Sequence, residues 1–79
     1  MRILYLASSG AADPTRASIP WHLAVNGSAE IGHDTGIVLA GDATEVINPG
    51  VLDGMEGLGV PRAAELVAKA REHGVPIYV

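Results

Sequence analysis

The sequence contains no cysteine and no phenylalanine, and its aromatic residues are one tryptophan and two tyrosines. The absence of cysteine excludes a disulfide framework and a thiolate zinc site within these residues. With so few aromatic side chains, the core must be built from alanine, valine, isoleucine and leucine, which bury less surface each. A small apolar chain often completes its core by associating with other chains, so we expect a homo-oligomer.

Positive charge is also scarce, since five Lys and Arg residues stand against nine Asp and Glu residues and leave a net charge of −4. The five are scattered and form no basic stripe, so we expect no nucleic-acid partner. The spacing of His22, His33 and His73 matches no recognised metal-ligand pattern. We therefore expect no metal and assign no cofactor.

Long apolar runs are missing as well. The run at residues 3–7 is shorter than the apolar region of a signal peptide, about 7–15 residues, and no run approaches the ~18 residues of a membrane span. These observations predict a cytoplasmic protein with no membrane partner.

The most informative stretch is residues 36–43. Four consecutive apolar residues lie between Gly36 and Gly41, which predicts a strand buried on both faces. Asp42 precedes Glu45 by three residues, the spacing of a capping box at the start of a helix. A strand, a glycine and a capped helix in succession are typical of a parallel α/β sheet.

The remaining elements follow from local signals. Residues 3–7 are apolar throughout, which predicts a central first strand. Asp13 and Pro14 predict the start of a helix that extends to residue 31, with a kink or a restart at Pro20. We expect a short helix at 43–47, a loop at 48–59, a helix at 62–73 ended by Gly74, and a third strand at 75–79.

Together these elements predict a single α/β domain over residues 1–79. We expect three layers around a short parallel sheet of order 2-1-3, a flavodoxin-like start, with the third strand at an edge. An apolar edge strand invites pairing, so further strands of the same chain or of a neighbouring chain are expected to cover it.

Candidate ligand-binding residues lie where the strands end, because open α/β sheets bind ligands at their carboxyl edge. Ser8, Ser9 and Gly10 follow the first strand, and Gly41 and Asp42 follow the second. Each has a structural alternative: the serine hydroxyls can serve turn backbone, and Asp42 can cap a helix. No catalytic residue is assigned.

Five short segments follow one another along the chain: Thr15-Arg16-Ala17, Pro20, Gly32-His33, residues 39–43 and residues 74–79. Their order resembles that of the DsrE/DsrF-like family. Members of that family are small α/β proteins, usually oligomeric, which act in sulfur relay and intracellular sulfur oxidation through a cysteine that carries persulfide. The resemblance therefore implies a homo-oligomer that works with a sulfur-carrier protein.

The family's cysteine follows the strand that corresponds to residues 75–79, and this chain has no cysteine. Either the natural chain continues past Val79 and the domain here is incomplete, or this member lacks the carrier group. Two other hypotheses remain open, a small-ligand or nucleotide-binding module without covalent chemistry and an interaction subunit of an oligomer. The lone Trp21 is consistent with an interface anchor or with a core position.

Overall fold

A computed structural model describes all residues, 1–79. Helices alternate with three short strands, and none of the helices has the combination of length and apolarity that crossing a membrane requires. The elements are β1 (Arg2–Ala7), α1 (Pro14–Leu23), a π-helical segment (Ala24–Ser28), β2 (Asp34–Leu39), a 3₁₀ helix (Gly41–Ile47), α2 (Pro49–Leu52), α3 (Ala63–Glu72) and β3 (Ile77–Tyr78).

The sheet has three parallel strands, which confirms the α/β class and the short parallel sheet. Its order is β1-β2-β3, so the expected order 2-1-3 is wrong. β2 is the central strand and pairs with β1 along its whole length, from Arg2 opposite Asp34 to Ala7 opposite Leu39. β3 lies at the other edge, as expected, and pairs through Ile77 and Tyr78.

The order 1-2-3 also changes the number of layers. Crossovers between parallel strands are almost always right-handed. Two successive crossovers in the same direction therefore place both helices on the same face, whereas order 2-1-3 places them on opposite faces. Here α1 and α3 pack against each other. The protein has two layers, and the expected third layer is absent.

As a result, β1 is an edge strand with one covered face. Its side chains alternate, with Ala7 buried and Tyr5 half-buried beneath the helices, while Leu4 and Leu6 are 60% and 66% exposed. The continuous apolarity of β1 therefore does not mean that helices bury it on both sides. The central strand β2 is more deeply enclosed, since Thr35, Gly36, Ile37 and Leu39 are all buried.

α1 begins where the sequence predicts. Asp13 is the N-cap, and its Oδ1 accepts a hydrogen bond from the Arg16 backbone N–H at 3.2 Å. The helix does not restart at Pro20, which lies in its interior. From Ala24 the chain winds more widely, and the Ala29 N–H donates to the carbonyl of Ala24, five residues back.

The core lies between the sheet and the helices. Trp21 is 3% exposed, so it is a core residue rather than a surface anchor. The largest fully buried hydrophobic side chains are Ile37, Leu66 and Val25. Small residues complete the core, which allows helices and sheet to approach closely: Ala7, Ala17, Ala24, Ala43, Ala63 and Ala70.

The predicted helix at 62–73 is confirmed as α3. Gly74 follows it with φ +65°, the left-handed conformation that favours glycine after a helix. Lys69 does not pair with Glu65, four residues before it. Its Nζ donates instead to Glu30 Oε1 at 2.5 Å and to Asn26 Oδ1, which links α3 to the segment after α1.

The predicted loop at 48–59 contains one further element. Asn48 caps the short helix α2, and its Oδ1 accepts from the Gly50 N–H at 3.0 Å. Met55 follows α2 and is buried at 2% exposure, so this segment contributes to the core.

Candidate functional site

The structure brings the loops after β1 and β2 together. The Ala40 N–H donates to the Ala7 carbonyl at 2.9 Å and extends the strand pairing into these loops. Gly10 is buried against the loop after β2, so closely that an added Cβ would lie 2.3 Å from the carbonyl oxygen of Asp42. Only glycine fits at this contact.

Glu45 joins the two loops, a role that the capping-box interpretation missed. Its Oε1 accepts from the Ala11 N–H at 3.1 Å instead of bonding back to the start of its own helix. The 3₁₀ helix begins at Gly41, with φ +57°, and its N-cap is Ala40. Asp42 therefore lies in the first turn and caps nothing through its side chain.

The five candidate residues form no pocket. Gly10 is buried, Ser9 is half-buried, and Ser8, Gly41 and Asp42 are exposed. None of them lines either of the two cavities of the protein. β1 and β3 lie at opposite edges of the sheet, so their carboxyl ends form no crevice with each other.

The face of the sheet that carries no helices is apolar. We call the surface formed by Leu4, Leu6, Val38 and Tyr78 the open face. Gly36 lies beneath two of these side chains, since an added Cβ would be 3.1 Å from Leu4 Cδ2 and 3.3 Å from Tyr78 Cε2. Side chains of both edge strands thus lean over the central strand and form one continuous surface.

Charges flank the open face at the amino ends of β1 and β2. Arg2 Nε and Asp34 Oδ2 are 3.6 Å apart, and both side chains are more than 70% exposed. The pair carries no net charge, so the surface is apolar with a neutral, polar end.

A separate groove lies on the helical side. It has a volume of about 430 Å³ and lies between the 3₁₀ helix, α2, α3 and β3. Eleven of its thirteen lining residues are hydrophobic, and Arg71 is the one charged residue among them. We call it the Trp21 groove, because the Trp21 side chain forms part of its wall.

Trp21 carries the one buried side-chain donor of the protein that has no partner, the indole Nε1–H. A buried donor without an acceptor costs about 1–3 kcal/mol. Arg71 is also unpaired, because its guanidinium makes neither a hydrogen bond nor an ion pair in a chain whose other arginines each have one.

The second cavity is smaller, about 170 Å³, and polar, and it lies at the amino edge of the sheet beside His33, Asp34 and His73. No three His, Asp or Glu side chains of the protein are grouped so that they could hold a metal ion. Nearby, the hydrogen bond and positive charge of Lys69 hold the pKa of Glu30 below its usual value of 4.5.

Comparison of the chain with models of protein families, with curated proteins and with solved structures found no match. The resemblance to the DsrE/DsrF-like family therefore stays a prediction. The function is therefore inferred from two surfaces of the structure, the open face and the Trp21 groove.

Proposed function

We propose that this protein is an interaction module that associates with a second copy of itself through the open face. The observation that carries the proposal is the exposure of Leu4 and Leu6, at 60% and 66%, on a strand of the sheet. Contiguous apolar patches of this kind on small proteins mark interaction sites. Covering the face with a second sheet removes these side chains from water and supplies the missing layer.

The charges at the end of the open face favour a second copy as the partner. In a two-fold interface the same surface meets itself, so Arg2 of one copy can lie near Asp34 of the other. The pair is neutral within each copy, so self-association through the open face places no net like charge against like charge at this end of the surface. A contact between like charges in the interface would cost roughly several kcal/mol and oppose association.

A role in sulfur relay is implied by the family resemblance alone. Because the chain has no cysteine, it offers no thiol for persulfide. In such a role it would supply the assembly surface, and a partner sulfur-carrier protein would hold the sulfur.

The test compares two leucine substitutions of equal chemistry. Leu6→Lys places a charge in the open face, whereas Leu58→Lys places it on the loop between α2 and α3, where Leu58 is 86% exposed. Sedimentation velocity is measured for both variants and the unmodified protein from nanomolar to millimolar concentration. We expect the unmodified protein and Leu58→Lys to dimerise and Leu6→Lys to remain a monomer.

Circular dichroism and urea unfolding of the Leu6→Lys monomer show whether it retains the fold, as its exposed position predicts. A protein that stays monomeric over the whole concentration range contradicts the proposal. Equal dissociation by the two variants contradicts it as well, because the association would then not depend on the open face.

A further inference from the structure

We infer that the Trp21 groove binds a small carboxylate whose body is apolar. The inference is independent of self-association, because the groove lies on the helical side of the sheet and the open face on the other. Its volume of about 430 Å³ falls within the range typical of small-molecule sites, roughly 300–1,000 Å³.

The lining sets the body of the ligand. Leu52, Val67 and Ile77 come from three different elements, and the hydrophobic majority of the lining gives hydroxyls and amides of a polar ligand few partners. An apolar ligand body gives up no hydrogen bonds to water when it enters such a groove, whereas burying polar groups without partners costs free energy. This favours an alkyl or aryl chain over a nucleotide or a sugar.

Arg71 sets the charge of the ligand. It is the one charged side chain in the lining, and its guanidinium has no partner within the chain. A guanidinium binds a carboxylate through two parallel hydrogen bonds. The side chain is exposed, so the carboxylate of the ligand lies at the rim of the groove, where it keeps contact with water.

Trp21 serves as a reporter of the groove. Its side chain forms part of the groove wall. The indole Nε1–H is fully buried, so a ligand in the groove contacts the indole ring and not the nitrogen.

The chain contains one tryptophan, so its intrinsic fluorescence reports occupancy of the groove directly. We would titrate octanoate, octanol and octylamine, which share one alkyl chain and differ in charge. Octanoate is expected to change the Trp21 emission and to bind about tenfold more tightly than octanol, with octylamine weaker still.

Two variants with the same change of charge separate Arg71 from general electrostatics. Arg71→Gln should remove the tenfold preference for octanoate over octanol, whereas Arg16→Gln, on the exposed side of α1, should retain it. Leu6→Lys should bind as the unmodified protein does, so that failure of self-association does not affect this result.

Three results would overturn the inference. The first is an absence of saturable change with octanoate. The second is equal affinity for octanoate and octylamine. The third is a Trp21 emission that shifts with protein concentration alone, since a second copy would then occupy the groove.

Discussion

Gly10 shows how one residue holds the two carboxyl-edge loops in contact. An added Cβ would lie 2.0 Å from Glu45 Oε1 and 2.3 Å from the Asp42 carbonyl oxygen. The carboxylate belongs to a flexible side chain, but the carbonyl is backbone and cannot move without shifting the start of the 3₁₀ helix. The distance between the two loops is therefore set by the contact between the Gly10 backbone and the Asp42 carbonyl, and not by buried hydrophobic side chains.

We therefore predict that Gly10→Ala lowers the free energy of unfolding by about 1–3 kcal/mol, the usual cost of overpacking. Gly27→Ala is the matched control, because an added Cβ there meets nothing within 4 Å and the residue lies in the π-helical segment. The control should be neutral or stabilising by about 0.5–1 kcal/mol. Urea unfolding measures both. Equal effects of the two would mean that the contact at Gly10 relaxes freely.

At the scale of elements, the interactions that can be predicted from sequence are the local ones. Three features are of this kind: the Asp13 cap of α1, the buried apolar side of α3 (Ala63, Leu66 and Ala70) and the left-handed Gly74. Each depends on residues within a few positions of one another. The order of the strands is not local. Leu4 and Leu6 give the same apolar pattern whether a helix, a second sheet or water covers them. The directions of the crossovers determine the strand order, and the strand order determines which face the helices cover.

The candidate sites also contain parts that can be predicted from the sequence and parts that cannot. That Ser8 to Gly10 and Gly41 to Asp42 lie at one edge of the sheet follows from the rule that parallel strands end at the same edge, but their role as ligand-binding residues stays a prediction. The Trp21 groove could not be predicted, because its lining comes from six different helices and strands and from Val75, which precedes β3. The one available signal was Trp21 itself, a lone indole in a sequence almost without aromatic residues.

The link between α3 and the segment after α1 predicts a pH dependence. Lys69 lowers the pKa of Glu30, mainly by its hydrogen bond and then by its charge. A carboxyl group with a lowered pKa in the folded state stabilises the protein above its unfolded value, 4.5, and loses that contribution as the pH falls through the lowered value.

Glu30→Gln should therefore be less stable than the unmodified protein at neutral pH, and the difference should vanish as the pH falls well below 4.5. The effect is small, because the side chain of Glu30 is about half exposed. Urea unfolding at a series of pH values measures it, with Glu56→Gln as the control for the loss of a carboxylate that contacts no cation. A difference that persists in acid would point to lost packing instead of lost charge.

At the scale of the whole molecule, a two-layer domain with an uncovered apolar face links stability to assembly. Anything that binds the folded state alone stabilises it by mass action, and under the proposed self-association a second copy is such a ligand. Folding and association of this protein should therefore be measured together.

We predict that the thermal midpoint rises with protein concentration, since each tenfold increase favours a folded dimer by about 1.4 kcal/mol per mole of dimer. The Leu6→Lys variant should have a midpoint that does not depend on concentration. Differential scanning calorimetry over a hundredfold range of concentration distinguishes the two. If the midpoint of the unmodified protein stays constant, its folding does not depend on association and the prediction is wrong.

The strand order has a further consequence for symmetry. Because β1 and β3 lie at opposite edges, β3 of one copy could pair with β1 of the next, and such head-to-tail pairing has no built-in end. The two paired residues of β3, preceded by Pro76, which has no N–H to donate, make that edge a poor template. The face-to-face contact, in contrast, is complete after two copies. In the proposed self-association, the unequal edges thus favour closed pairs over fibres.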